Sequence, residues 1–288
     1  MDMKKILVLV CLTLLPILTV QASETSETRD FTLPKIQVIP IKDTQADRQY
    51  ELYIKLPEGY AKNKDKTYPV IYFTDAIWHV EILSSSTEFL MEDAILVGIS
   101  WQKDINEDLK KEHGEHVSRF RDYSIKKSSN PKTQAKYHLG QASNHLDFIR
   151  NDVIKTIESK YRTDPDNRTY FGYSAGGQFG VYILLTQPDT FKNYILGSPS
   201  IKGDIPFLSK LGSTPAKALN ANVFISYGTL EKESGEHIEK FITLLKNRND
   251  KSLSLQHPVI EGSHGTAFPM TAIRSVTWLS NLQKEAGK

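Results

Sequence analysis

Two unbroken apolar runs, Tyr68 to Phe73 (YPVIYF) and Ala94 to Ile99 (AILVGI), constrain the fold of this chain more than any other feature. A strand with one wet face alternates apolar and polar residues. A strand that is apolar throughout must be covered on both faces, as central parallel strands are. Tyr50, Leu52, Ile54 and Leu56 alternate with Glu51 and Lys55, the mark of a half-buried strand. Further strands are expected at Arg168 to Phe171, Asn193 to Leu196, Asn222 to Tyr227 and Ser252 to Ile260. Helical spacing lies between them. One stripe is Leu146, Ile149, Val153 and Ile157, ending near Tyr161, and a buried helix runs through Val181 to Leu185 and stops before Pro188. Ile238, Phe241, Ile242 and Leu245 form another stripe, and Ile273, Val276 and Leu279 mark a closing helix. The first two strands follow each other without a helix, and the rest alternates. The pattern predicts an α/β fold with a mostly parallel central sheet, antiparallel N-terminal strands and helices on both faces. Trp101 to Gly140, rich in Lys, Glu, His and Asn, has no clear period. So long a loop in a compact domain is usually functional, such as a site wall or lid; the alternative is a solvated excursion.

Lys4 and Lys5 precede an apolar run from Ile6 to Val20, followed by Gln21-Ala22. The run is short for a membrane span, contains Pro16 and ends in a small-residue pattern. Residues 1–22 are therefore expected to be a cleaved signal peptide, and 23–288 a single domain in the periplasm or outside the cell with no stable membrane anchor. Cleavage removes Cys11, the only cysteine, so stability must come from core burial and not from disulfides. With 36 basic and 34 acidic residues the formal charge is +2, so no global field argues for nucleic acid as a partner. His113-Gly114-Glu115-His116 has the wrong spacing for the H-E-x-x-H zinc motif, and no phosphate-binding loop or dinucleotide fingerprint is present. No metal or other cofactor is expected. Oligomeric state is not legible in the sequence.

Gly172-Tyr173-Ser174-Ala175-Gly176-Gly177 follows an expected strand and opens an expected helix. This is the G-x-S-x-G nucleophile elbow, in which a serine sits on a sharp turn that tolerates only small neighbours. It presents Ser174 at a helix N-terminus, where backbone N–H groups face a developing oxyanion. A serine needs a base, and the base an orienting acid; on this scaffold they follow it in the order acid, then histidine. Downstream lie only His237, His257 and His264. His237 falls on an expected helix and His257 within the last strand, whereas His264 sits in the flexible Glu261-Gly262-Ser263-His264-Gly265 loop beyond it. His264 is thus the expected base. Glu231, after the Asn222 to Tyr227 strand, is the first candidate for the acid and Glu233 the alternative. The oxyanion donors are expected to be the N–H of Ala175 and one in the turn after Phe73, Ile77 first and Ala76 next.

These segments together resemble the putative-esterase family of α/β-hydrolases, which includes esterase D–type enzymes and bacterial hydrolases of trilactone siderophores. The resemblance runs from about Lys35 to the C-terminus and rests on YPVIYFTD (Tyr68 to Asp75), RDYS (Arg121 to Ser124), GYSAGGQFG, SPS (Ser198 to Ser200) and EGSHG. It implies carboxylic-ester hydrolysis by Ser174 and His264, with Glu231 at the acid position; some siderophore hydrolases of this kind work with a Ser–His pair alone. Asp75-Ala76 stands where the family commonly has Asp-Gly, and Tyr173 where many relatives carry His. Tyr173, Trp78, Arg121 and Ser198 are the expected substrate-binding residues. Trp101 and Tyr123 are further candidates for an acyl pocket, and Arg119 beside Arg121 for attracting an anionic substrate such as a ferric catecholate. The substrate is expected to be a small ester or a siderophore-type lactone. The alternatives are acyl transfer by the same Ser–His machinery and a non-catalytic binding protein on the same scaffold.

Overall fold

Every residue of Tyr68 to Phe73 is buried, and its side chains divide by parity between two cores. Tyr68, Val70 and Tyr72 enter one apolar cluster with Phe179, Ile238 and Phe241; Ile71 and Phe73 enter another with Leu83, Val276 and Leu279. That division is what a central strand covered by helices on both faces requires. The computed structural model describes residues 35–213 and 218–286. The expected signal peptide lies outside the described residues.

Among the described residues nine strands form the sheet: β1 (Ile36–Asp43), β2 (Arg48–Lys55), β3 (Tyr68–Phe73), β4 (Ile95–Ile99), β5 (Thr163–Tyr173), β6 (Asn193–Gly197), β7 (Asn222–Gly228), β8 (Ser254–Gln256) and β9 (Val259–Ile260). Their order is β1-β2-β4-β3-β5-β6-β7-β8, with β9 also on β7. β1 pairs antiparallel with β2 and β2 antiparallel with β4; the other pairings are parallel. The antiparallel start expected from the sequence is present, but β2 and β3 do not touch as partners. β4 lies between them, paired Leu52 to Ile99 on one side and Val70 to Ile95 on the other.

Three other differences have physical causes. β1 is an edge strand with Val38 exposed and Pro40 within it, so it carries no clean alternation. The expected strand Ser252 to Ile260 is two short ones, broken at His257-Pro258, where proline has no N–H to donate to a ladder. The stretch from Trp101 to Gly140 contains three short helices, Glu107–His113, Ser118–Asp122 and Pro131–Tyr137. Asn106 and Asn130 cap the first and third, each side chain accepting from two backbone N–H groups. These helices are too short to display an apolar period. Among the described residues no helix is long and apolar enough to cross a membrane.

The register sets the position of everything that follows. Tyr173 at the end of β5 faces Gly197 at the end of β6, which faces Ser226 near the end of β7. Phe73 at the end of β3 faces Phe171. The residues leaving β3, β5, β6 and β7 therefore emerge along one edge, the carboxyl ends of the parallel strands, where open α/β sheets bind ligands. Between β5 and the helix Ala175–Thr186 the approach is so close that a Cβ on Gly172 would lie 2.3 Å from the Gly176 carbonyl oxygen. Gly172→Ala is expected to lower folding stability by about 1–3 kcal/mol, read as a fall in the thermal unfolding midpoint.

Candidate active site

Ser174 joins β5 to the helix Ala175–Thr186 with φ 57 and ψ −116, a conformation costly for any residue with a Cβ. Its N–H donates to the Gly197 carbonyl at 2.9 Å, and its own carbonyl accepts from Gln178 N–H at 2.9 Å and Ser200 N–H at 3.1 Å. The strained turn is thereby tied to the helix on one side and to the Ser198-Pro199-Ser200 loop on the other. Ala175 opens the helix, so its N–H is one of the donors that a helix leaves unpaired. Among the described residues the hydrogen-bond partner of Ser174 Oγ is Ser200 Oγ, 3.2 Å away.

His264 lies between β9 and the helix Phe268–Ala286, its side chain about half exposed. Its Nδ1 donates to Glu231 Oε2 at 2.8 Å. Glu231, just before the helix Lys232–Asn247, has its carboxylate buried, and Oε1 accepts from the Ser198 hydroxyl at 2.7 Å and from Gly228 N–H at 2.8 Å. Glu233, the alternative acid, is exposed and paired with Lys202. His237 donates to the Glu233 carbonyl from within the helix, at 2.8 Å. Of the expected acids and bases, the structure thus brings Glu231 and His264 together beside the turn at Ser174. Ser174 Oγ and His264 are not hydrogen-bonded to each other.

The second expected oxyanion turn follows β3. Asp75 takes the left-handed conformation, φ 56 and ψ 47, and the helix Ala76–Leu90 begins immediately after it. Ile77 is in the first turn of that helix, where N–H groups again lack helical partners. The Asp75 carboxylate is fully buried. It accepts from Trp101 Nε1 at 2.6 Å and from Arg119 through Nε at 3.0 Å and Nη2 at 2.9 Å. His79, held below its ordinary pKa by burial, donates from Nδ1 to the Thr74 carbonyl at 2.9 Å. The turn is therefore fastened by side chains from three directions.

A cavity of about 410 Å³ opens beside Ala175, walled by Phe120, Tyr123, Tyr137, Leu139 and Arg119. Trp78, half exposed, meets Trp101 edge-on at 4.7 Å, and the Arg119 guanidinium lies 5.0 Å over the Trp78 ring and 5.6 Å from that of Tyr123. The segment without a clear period thus forms a wall of this site. Three of the four expected substrate-binding residues have other occupations. Arg121 is bonded to Asp122, Gln102 and Tyr50, and it lines a separate cavity with Gln102 and Asp104. Its charge is spent in that cluster. Ser198 is buried against Glu231. Tyr173 is buried too, its hydroxyl 3.0 Å from Ser198 Oγ and donating to the His264 carbonyl at 2.5 Å. Sequence reasoning missed these duties, and the neighbourhood of Ser200 and Ser174, because a side-chain hydroxyl bond across the sheet leaves no periodic trace. Among the described residues no group of three or more His, Cys, Asp or Glu could hold a metal.

A family model described as Putative esterase matches residues 44–249. Over 225 residues the chain is 29% identical to the ferri-bacillibactin esterase BesA of Bacillus subtilis, covering 70% of this chain and 73% of that protein. Among solved structures, the BES protein of Bacillus cereus superposes with a TM-score of 0.75 at 22% identity, covering 88% of this chain and 98% of that one. An IroE-like serine hydrolase of Shewanella oneidensis superposes with a TM-score of 0.70 at 21% identity, covering 86% and 80%.

Arg119→Met would strand the Asp75 carboxylate without its charge partner. Removal of one member of a buried pair costs about 3–5 kcal/mol. The unfolding midpoint in urea is expected to fall accordingly, and adding Asp75→Asn to Arg119→Met should recover much of the loss.

Proposed function

Because this chain belongs to the Putative esterase family of carboxylic-ester hydrolases, we propose that it cleaves its ester through an acyl-enzyme on Ser174, with His264 as base, Glu231 as orienting acid and a siderophore-type lactone as substrate. The observation that carries the mechanistic reading is the 2.8 Å bond between His264 Nδ1 and the buried Glu231 carboxylate, beside a serine on a strained strand-to-helix turn. In the neutral imidazole that bond keeps the proton on Nδ1 and leaves Nε2 able to accept one. On substrate binding, Ser174 Oγ exchanges its contact with Ser200 for one with His264 Nε2.

His264 then takes the Ser174 proton as Oγ attacks the ester carbonyl carbon. The N–H groups of Ala175 and Ile77 stabilise the oxyanion. Collapse of the tetrahedral adduct breaks the bond to the alcohol oxygen, and His264 returns the proton to that leaving group. Water, deprotonated by His264, releases the acid by the same steps in reverse order. Trp78 and the apolar wall of Phe120, Tyr123, Tyr137 and Leu139 hold the substrate against Ala175.

The choice of substrate is supported by the ferri-bacillibactin esterase of Bacillus subtilis, a relative aligned over most of both chains. The Lys-led apolar N-terminus supports export, with cleavage after Ala22 and a mature enzyme in the periplasm or outside the cell.

Ser174→Ala is expected to reduce turnover of a p-nitrophenyl ester at least about a thousandfold and to abolish covalent labelling by a fluorophosphonate. Undiminished turnover in that variant would exclude the mechanism. In competition assays followed by chromatography, a ferric or iron-free trilactone siderophore should be hydrolysed with a higher kcat/KM than short acyl esters or S-formylglutathione. The reverse order would remove the siderophore assignment and leave the mechanism standing.

A further inference from the structure

We propose that Tyr173 and Ser198 are positioning residues for the His264–Glu231 pair, Tyr173 fixing the backbone of His264 from the position next to Ser174 and Ser198 fixing the carboxylate oxygen that faces away from the imidazole. The inference rests on the reading of Ser174, His264 and Glu231 given above and adds two residues that do not touch the reacting atoms.

His264 sits on a loop with a half-exposed ring, so packing alone does not locate it. The loop is tied internally by Ser263 N–H to Thr266 Oγ1 at 2.8 Å and Ala267 N–H to the Ser263 carbonyl at 2.9 Å. Leu230 N–H donates to the Gly262 carbonyl at 2.9 Å, joining the loop to the segment that carries Glu231. The tie to the serine side of the site is the Tyr173 hydroxyl, which donates to the carbonyl of His264 itself at 2.5 Å. Its ring also lies 5.3 Å from the His264 ring and 5.0 Å from that of Phe268. Tyr173 is the last residue of β5 and is covalently bonded to Ser174. The separation of hydroxyl and imidazole is thus set through one rigid aromatic side chain. Burial is the main reason that the phenol is pushed up to about 12, so it keeps its proton and stays a donor.

Ser198 has φ 37, a left-handed conformation that glycine would take without strain. A glycine there would lose the hydroxyl, which is buried and 2.7 Å from Glu231 Oε1. With Gly228 N–H on the same oxygen and His264 Nδ1 on the other, the carboxylate cannot rotate away from the imidazole.

The test uses p-nitrophenyl ester kinetics and fluorophosphonate labelling rates on Tyr173→Phe, Ser198→Ala and Ser198→Gly. Each variant should lose about tenfold in kcat, with KM within twofold, and the labelling rate should fall in the same proportion. Ser198→Gly separates loss of the hydroxyl from backbone strain and should match Ser198→Ala. In a Glu231→Gln background, Ser198→Ala should cost less than a further twofold, because the hydroxyl acts through that carboxylate; a merely structural role would multiply the two losses. An unchanged kcat, a loss confined to KM, or multiplying losses would overturn the positioning role while labelling of Ser174 in the parent chain stands. Failure of the parent chain to label at Ser174 would instead overturn the reading of the site beneath it.

Discussion

The turn at Ser174 is the constraint on which the rest of the structure depends. A serine at φ 57 and ψ −116 costs on the order of 1–3 kcal/mol, and the chain offsets it locally. The sheet accepts its N–H through Gly197, the helix and the neighbouring loop donate to its carbonyl, and the buried Tyr170 hydroxyl donates to the Gly176 carbonyl at 2.7 Å. A turn so anchored gives Ser174 little choice of direction. Its hydroxyl meets Ser200 Oγ at 3.2 Å, and the helix Ala175–Thr186 begins at the next residue. The parallel register then brings the ends of β3, β6 and β7 alongside. The site is in this sense a consequence of strand order, with chemistry added by the residues leaving each strand.

A buried carboxylate has the opposite requirement: it must be satisfied by donors or it destabilises the fold. Glu231 meets this with three, the His264 imidazole, the Ser198 hydroxyl and the Gly228 N–H. Gly228 is needed for the last, since a Cβ there would lie 2.4 Å from the Gly262 carbonyl oxygen and 3.1 Å from Glu231 Oε1. Glu233, two residues on, is a solvated carboxylate whose pairing with Lys202 contributes little. The same side chain chemistry at two neighbouring positions therefore has two different meanings, decided by burial. A Ser–His pair without an acid is workable in principle. Here Glu231 is so fully bonded that it belongs to the architecture of the histidine loop whatever its part in the chemistry.

What could be read from the sequence was whatever requires a particular residue type at a particular spacing. The elbow needs small residues around a serine, the central strands need unbroken apolar runs, and a histidine beyond the last strand stands out by elimination. Edge strand β1 escaped because a strand with Pro40 and an exposed Val38 has no alternation to detect. The short helices between Trp101 and Gly140 escaped because each is shorter than two apolar repeats, and two of them are set by an asparagine cap. Tyr173, Ser198 and Arg121 were visible as residues, but their hydrogen-bond partners were not. Their partners lie on other elements, at distances along the chain fixed only by the fold.

The turn after β3 illustrates the last point. The family commonly has a glycine after the aspartate there, and Ala76 suggests a distorted oxyanion turn. The structure places the left-handed residue one position earlier, at Asp75, whereas Ala76 is the first residue of a helix and has no positive φ. Alanine is therefore free of strain at that position. The requirement falls on Asp75, one of the few residue types that enter the left-handed region readily. Its carboxylate, once there, is buried and must be neutralised, which Arg119 does in a two-pronged pair while Trp101 supplies a third donor. The wall of the cavity and the turn after β3 are consequently one unit. A change in the 101–140 segment that moves Arg119 also moves Asp75 and the first turn of the helix Ala76–Leu90, which carries the Ile77 N–H proposed above as an oxyanion donor.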